Sequence, residues 1–142
     1  MRPRRAGSTL APTLALSAAV ALAGAVAEAA PPPLSQNDYI NDRLFAAAVG
    51  DEIRKNCGSI SARMVYVLVQ LQRLKSYARS QGYTDEQMEA YVENKAEQDK
   101  MRARRDAYLA SHGVTKGDEA SYCALGRKEI AAGTITGSLL RD

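Results

Sequence analysis

Residues 56–64 read NCGSISARM, and they contain Cys57, one of only two cysteines in the chain. The second, Cys123, lies in SYCALGR at residues 121–127. Gly58 follows Cys57 at a position typical of a helix terminator, so a first helix is predicted to end here. The use made of the two cysteines therefore decides how the two halves of the domain are joined.

Two cysteines can form a structural disulfide, act as a redox pair or bind a metal. Redox pairs usually have the spacing C-x-x-C and covalent haem needs C-x-x-C-H, and the sequence contains neither motif. Two distant thiols with a single histidine make a poor zinc site, so we expect no metal and no cofactor. In an oxidising compartment such a pair most often forms a disulfide, which we predict between Cys57 and Cys123.

The segment before Cys57 has the pattern of a helix. Ser35 is predicted to cap a helix from Gln36 to about Asn56. Apolar residues recur in it every four positions, which indicates one buried face. This stripe consists of Phe45, Val49, Ile53 and Cys57.

The segment after Cys57 is predicted to form a second helix, capped by Ser59 or Ser61 and reaching about Gln81. The run MVYVLVQL at residues 64–71 contains enough β-branched residues for a buried strand. The helical period continues beyond it, however, and favours a central helix. Its predicted inward stripe is Ile60, Met64, Val67, Leu68, Leu71, Leu74 and Ala78.

The C-terminal half is also predicted to be helical. Thr84 and Gln87 form the pattern of a capping box, and we expect a break near Asn94. Further helices are predicted over residues 95–111 and around Cys123, and the tail is expected to dock through Ile135, Leu139 and Leu140. No segment alternates as a β-hairpin would. The fold class expected for residues 35–142 is therefore all-α, a single-domain bundle of about four to five helices with one disulfide.

The N-terminus has the layout of a secretory signal peptide at residues 1–29. Three arginines precede an apolar run over residues 9–27, and small residues offer a cleavage site near Ala27–Ala29. A Pro-rich spacer follows at residues 30–34. An uncleaved membrane anchor is the alternative, but the run is alanine-rich and interrupted. We therefore expect a periplasmic protein with no transmembrane span after cleavage.

Cleavage would also change the charge. Loss of residues 1–29 removes three arginines and one glutamate, which lowers the formal net charge from +3 to +1. A chain of this balance has no overall electrostatic reason to bind nucleic acid. The remaining length suits one compact domain.

Several motifs resemble those of one known family, the alphaproteobacterial domain-of-unknown-function 5333 family of small exported proteins. The resemblance covers nearly all of the chain after the leader and rests on CGSISAR at 57–63, GYT at 82–84, YV at 91–92, MRAR at 101–104, YL at 108–109, Gly113, CALGRKEI at 123–130 and GSLLR at 137–141. It implies a periplasmic protein in which both cysteines belong to the family pattern. It implies no activity, ligand or catalytic residue.

Two groups of polar residues are candidate sites. A disulfide would bring a polar cluster together, in which Arg63 and Glu129 are predicted to pair; the cluster is Ser59, Ser61, Arg63, Arg127 and Glu129. A binding site is one interpretation of it, and helix caps with an ion pair are the other. Three arginines form a candidate anion or lipid-headgroup patch, or else a solvated helix face: Arg102, Arg104 and Arg105.

Three classes of function fit this chain to different degrees. A non-enzymatic interaction or accessory module of the cell envelope, with a protein partner, fits best. A small-ligand or client-binding protein is the alternative, and it would need an exposed apolar groove, expected beside ENKAEQDK at residues 93–100. An enzyme is disfavoured because no triad, phosphate loop or paired-carboxylate motif is recognisable. We therefore predict no catalytic residues.

Overall fold

The structure is a computed structural model that describes residues 29–142. The predicted signal peptide lies outside these residues, apart from its last position. The described elements, in chain order, are a 3₁₀ turn at Leu34–Gln36, α1 Asp38–Asn56, β1 Ser61–Ala62, α2 Met64–Ser80, α3 Asp85–Glu93, α4 Lys95–Ser111, α5 Glu119–Ala132, α6 Ile135–Ser138 and β2 Leu140–Arg141. The predicted all-α disulfide-linked domain is confirmed, with one small antiparallel strand pair added.

The core is built around the disulfide between Cys57 at the end of α1 and Cys123 in α5. The predicted stripe of α1 is confirmed, since Val49 and Ile53 are fully buried. Gly126 on α5 lets α5 approach α1 closely, because a Cβ there would lie 2.7 Å from the Cγ2 of Ile53. The core cluster is Val49, Ile53, Cys57, Ile60, Leu109, Tyr122, Cys123, Leu125 and Leu140.

The helix caps show which helix ends could be predicted from neighbouring residues and which could not. Asn94 ends α3 and its side chain accepts a hydrogen bond from the Glu97 N–H, so the predicted break is confirmed. The Thr84 capping box is confirmed as well. Asn37 rather than Ser35 caps α1, because residues 34–36 first form a 3₁₀ turn that buries Leu34.

The Pro-rich segment packs against the end of α2. The Tyr83 hydroxyl donates a hydrogen bond to the carbonyl of Pro32 at 2.7 Å. A second core cluster forms here, and it consists of Leu34, Ile40, Ala78 and Tyr83. This cluster attaches the C-terminal end of α2 to the rest of the domain.

The C-terminal tail docks as predicted at two of its three apolar residues. Leu139 and Leu140 are buried, whereas the Ile135 side chain is 45% exposed. β2 pairs antiparallel with β1, with Ser61 opposite Arg141. This pairing places the chain terminus beside the start of α2.

The prediction that residues 64–80 form a helix rather than a strand is confirmed, but the predicted central position of this helix is wrong. Ala78 is the only buried residue among the 17 of this helix. Met64, Leu68 and Leu71, all assigned to the inward stripe, are exposed. Neither Ser59 nor Ser61 caps the helix: Ser61 is paired in β1, and the N-cap residue is Arg63, whose side chain makes no cap hydrogen bond.

Candidate binding surface on the second helix

Helix α2 is held at its two ends. At its start, the Arg63 N–H donates to the Leu139 carbonyl at 2.8 Å, and the Arg63 guanidinium donates to the Ser138 carbonyl at 3.1 Å. At its end, Ala78 is buried in the second cluster. Between these anchors only one side of α2, near Leu74, approaches α1. The helix is therefore fixed in place while most of its surface is uncovered.

The uncovered side of α2 is apolar. Val65 is 79% exposed and Leu68 is 56% exposed. Residues three and four apart are neighbours on a helix, so these side chains form one continuous patch rather than isolated exposed residues. We call this patch the α2 face; its residues are Met64, Val65, Leu68, Val69 and Leu71. A cluster of exposed apolar side chains marks an interaction site more often than a single one does.

A basic groove borders the α2 face. It has a volume of about 540 Å³ and includes Met64 and Val65 in its lining. Three arginines also line it, Arg63, Arg73 and Arg141, and none of its lining residues is acidic. Arg63 lies over the Tyr66 ring, with 4.8 Å between the guanidinium carbon and the ring centroid. The groove therefore combines an apolar floor with a positive border.

The positive charge of this groove is not neutralised within residues 29–142. None of the salt bridges among these residues involves Arg63, Arg73 or Arg141. Arg141 instead donates to the Ser61 hydroxyl at 3.0 Å. Helix α2 contributes no acidic side chain of its own. Its N-terminal N–H groups, which have no side-chain cap, add partial positive charge at the same end.

Two apolar grooves lie on the other sides of α2. One, of about 410 Å³, separates α2 from α1 and α3 and is lined by Leu44, Leu74 and Met88 among others. The other, of about 400 Å³, separates α2 from α1 and α6. The predicted groove beside residues 93–100 is thus displaced: the lining of the first groove reaches Val92 and includes none of those residues.

The predicted polar cluster is divided by the structure. Ser59 and Arg127 do meet, since the guanidinium donates to the Ser59 hydroxyl at 2.8 Å. Arg127 also pairs with Asp142 at 2.6 Å, and this hydrogen bond holds the pKa of the Asp142 carboxyl below its ordinary value. Ser61 and Arg63 lie instead at the start of α2. The sequence did not predict this separation, because it depends on the pairing of β1 with β2, which only the tertiary fold decides.

The predicted ion pair between Arg63 and Glu129 is wrong. Glu129 is 95% buried, and its carboxylate accepts hydrogen bonds from the hydroxyls of Tyr108 and Thr134. Burial and this contact with Glu129 raise the pKa of Tyr108 to about 12. No sequence signal indicated this network, because its donors lie 21 and 5 residues away and have no distinctive pattern.

The three arginines of the candidate anion patch each have a carboxylate partner. The pairs are Arg102 with Asp99, Arg104 with Asp42 and Arg105 with Glu52. Arg104 also lies over the Phe45 ring at 4.1 Å. Pairing of this kind disfavours an anion site. The interpretation of a solvated helix face fits Arg102 and Arg104, whereas the Arg105 side chain is only 19% exposed and packs beside Glu52 of α1.

The only histidine of the chain is in a capping position. His112 is the C-cap of α4, and its Nδ1 atom lies 2.8 Å from the Tyr108 carbonyl oxygen. Its ring lies against the Tyr108 ring, with 4.0 Å between centroids. His112 therefore packs at the C-terminal end of α4 against Tyr108, the residue that donates a hydrogen bond to Glu129.

Fold and surface together define a class, a small disulfide-linked helical domain with one exposed apolar helix. The chain belongs to the family described as Family of unknown function (DUF5333), whose model matches residues 32–141, and the resemblance inferred from sequence is thereby confirmed. Comparison with curated proteins and with solved structures gave no match. Between residues 29 and 142, no helix has the length and apolar character needed to cross a membrane. The disulfide is consistent with an extracytoplasmic location.

Proposed function

We propose that this chain is an exported periplasmic protein that acts as a non-enzymatic interaction module of the cell envelope, and that it binds a protein partner through the α2 face. The observation that carries the proposal is the exposure of five neighbouring apolar side chains on one helix. Leaving such a patch in water forgoes the free energy that its burial would supply, and a bound partner recovers it.

The way α2 is mounted supports the same function. Both of its ends are anchored, one through the Leu139 carbonyl and the other through Ala78. A partner therefore meets a preformed surface, which lowers the ordering cost of binding. The disulfide adds to the rigidity of the domain because it joins the end of α1 to α5.

Two features of the chain support export, its leader pattern and its disulfide. The leader pattern over residues 1–29 is typical of a cleaved signal peptide. A disulfide persists in an oxidising compartment. Intact mass measurement of the protein recovered from the periplasm tests this step; a mature chain beginning near residues 28–30 is expected, and retention of the leader contradicts it.

Site-specific photo-crosslinking tests the binding function. The photoreactive residue p-benzoylphenylalanine is placed at Leu68 in the full chain, and a matched variant carries it at Lys128, an exposed position on α5. The Leu68 variant is expected to give a discrete crosslinked protein product in the cells that make the chain, and the Lys128 variant is not. Equal products at both positions, or none at Leu68, overturn the proposed function.

The alternative function, binding of a small ligand or client, has its best place in the groove of about 410 Å³ between α1, α2 and α3. Native mass measurement of the purified chain distinguishes the two. A small mass that is retained under native conditions and lost on denaturation favours the ligand-binding function. A bare chain with a protein-sized crosslink at Leu68 favours the interaction module.

A further inference from the structure

We infer that the partner of the α2 face is an amphipathic protein helix whose apolar stripe is bordered by acidic side chains. This inference rests on the proposed function and specifies the chemistry of the partner. The apolar requirement follows from the exposed side chains of the α2 face. The acidic requirement follows from the groove beside them, in which three arginines and no carboxylate line the wall.

Charge complementarity is the first argument for an acidic border. The Arg73 side chain makes no hydrogen bond or ion pair with any residue that the structure describes, although it lines the groove together with Val69. A partner that covered the apolar floor with neutral or basic residues would leave the three guanidiniums of the groove without a counter-charge at the interface. Carboxylates on the partner satisfy them with charge-assisted hydrogen bonds.

The same charges disfavour a second copy of this chain as the occupant. α2 carries Arg73, Lys75 and Arg79 and no acidic residue, so neither a parallel nor an antiparallel pairing of two α2 helices supplies carboxylates from the helices themselves. In an antiparallel pair centred on Leu68, Arg73 of each copy approaches the Arg63 end of the other. Like charges brought together at an interface are unfavourable, and this cost opposes a symmetric dimer.

The shape of the surface favours a helix over a lipid bilayer. Grooves of about 540, 410 and 400 Å³ run beside α2, and the α2 face projects between them. A partner helix can insert its side chains into such grooves at positions i, i+3, i+4 and i+7. A bilayer surface does not fill grooves. The α2 face also contains neither tryptophan nor phenylalanine, two of the residue types that anchor interfacial helices in membranes.

Two synthetic helical peptides test the inference on the full mature chain. Each is 17 residues long, to match α2, and both have the same leucine and isoleucine stripe. One has glutamate at every position that flanks the stripe, and the other has lysine there. Binding is measured by fluorescence anisotropy at low and high salt. We expect the glutamate peptide to bind about tenfold more tightly at low salt and to lose this advantage at high salt.

A charge-reversal variant makes the test specific to the groove. Arg73→Glu is expected to abolish or invert the preference for the glutamate peptide. Its matched control, Lys116→Glu, changes the same charge in an exposed loop remote in sequence from α2 and is expected to leave the preference unchanged. The Arg73 side chain is exposed and makes no hydrogen bond or ion pair with a described residue, so the variant is expected to remain folded by circular dichroism.

The remaining outcomes each overturn the inference in a distinct way. Equal binding of the two peptides, or binding of neither, contradicts the inference that the partner has an acidic border. Binding to phosphatidylcholine–phosphatidylglycerol vesicles without preference for the glutamate peptide identifies a membrane as the occupant. A dimer in native mass spectra that Leu68→Asp abolishes identifies a second copy. The crosslinking experiment at Leu68 judges the proposed function separately, because it does not depend on the partner's charge.

Discussion

The Tyr108 hydroxyl donates a hydrogen bond to the buried carboxylate of Glu129, which links α4 to the last turn of α5. The Thr134 hydroxyl donates to the other oxygen of the same carboxylate and accepts a bond from the Gly137 N–H. Glu129 thus joins three consecutive helices. A buried charge is costly without hydrogen-bond donors, and two hydroxyls supply them here.

Removal of one donor is expected to destabilise the fold. Tyr108→Phe leaves the Glu129 carboxylate with one hydroxyl donor, so we expect the free energy of unfolding to fall by about 2 kcal/mol. Urea denaturation measures the change. Tyr66→Phe is the control, since the Tyr66 hydroxyl makes no hydrogen bond to a described residue, and a loss within about 0.5 kcal/mol is expected there.

A double-mutant cycle isolates the interaction itself. Tyr108→Phe combined with Glu129→Gln is expected to give a coupling free energy of about 1 kcal/mol, because the two residues contact each other directly. Additive effects of the two substitutions would show that the hydrogen bond contributes nothing to stability.

The raised pKa of Tyr108 predicts a late step in an alkaline titration. Burial, followed by the hydrogen bond to Glu129, raises it from 10.0 to about 12. The neutral phenol is therefore favoured in the folded state, so its contribution to stability is fully present below pH 10 and is lost as the pH rises toward 12. Tyrosinate absorbance is read immediately after jumps to successively higher pH. The titration step at the highest pH is expected to disappear in Tyr108→Phe, and an unchanged step would assign it to another tyrosine.

The disulfide predicts equal effects of its two cysteines. It closes a loop of 66 residues, which stabilises the fold by about 4 kcal/mol on the chain-entropy model. Cys57→Ser and Cys123→Ser are expected to lower the thermal midpoint similarly, and the double variant is expected to be no worse than either. Thermal melts with and without reductant measure this. Additive losses in the double variant would contradict a shared role.

Exposure of the α2 face predicts that its residues contribute little to folding. Leu68→Ser is expected to change the free energy of unfolding by no more than about 0.5 kcal/mol, because the side chain already meets water. Ile53→Ala, the buried comparison, is expected to cost about 2–5 kcal/mol. Chemical denaturation of both variants compares them. A loss at Leu68 as large as that at Ile53 would mean that the α2 face is covered in the free chain.

Local signals predicted much of this domain. The capping box at Thr84 and the cap at Asn94 were recognisable because each joins residues three positions apart. The stripe of α1 was recognisable because that helix is apolar on one side and is buried on that side. Such features depend on neighbours in the chain, so an amino-acid sequence records them directly.

The candidate site was less predictable. A period of 3.6 residues identifies α2 as a helix, but α2 has apolar residues on more than one side. The pattern does not state which side another helix covers. Leu68 was therefore assigned to the interior although it faces solvent, and Glu129 was assigned a cation although two hydroxyls hold it.

By itself, the sequence determined the helical class, most of the helix ends, the family and the pairing of Cys57 with Cys123. Those features arise from short-range geometry or from the presence of only two thiols. Only the tertiary structure decided that β2 pairs with β1, that Glu129 is buried and that α2 is exposed. Each of these depends on residues far apart in the chain, and the free energy of bringing them together is a property of the whole packed domain.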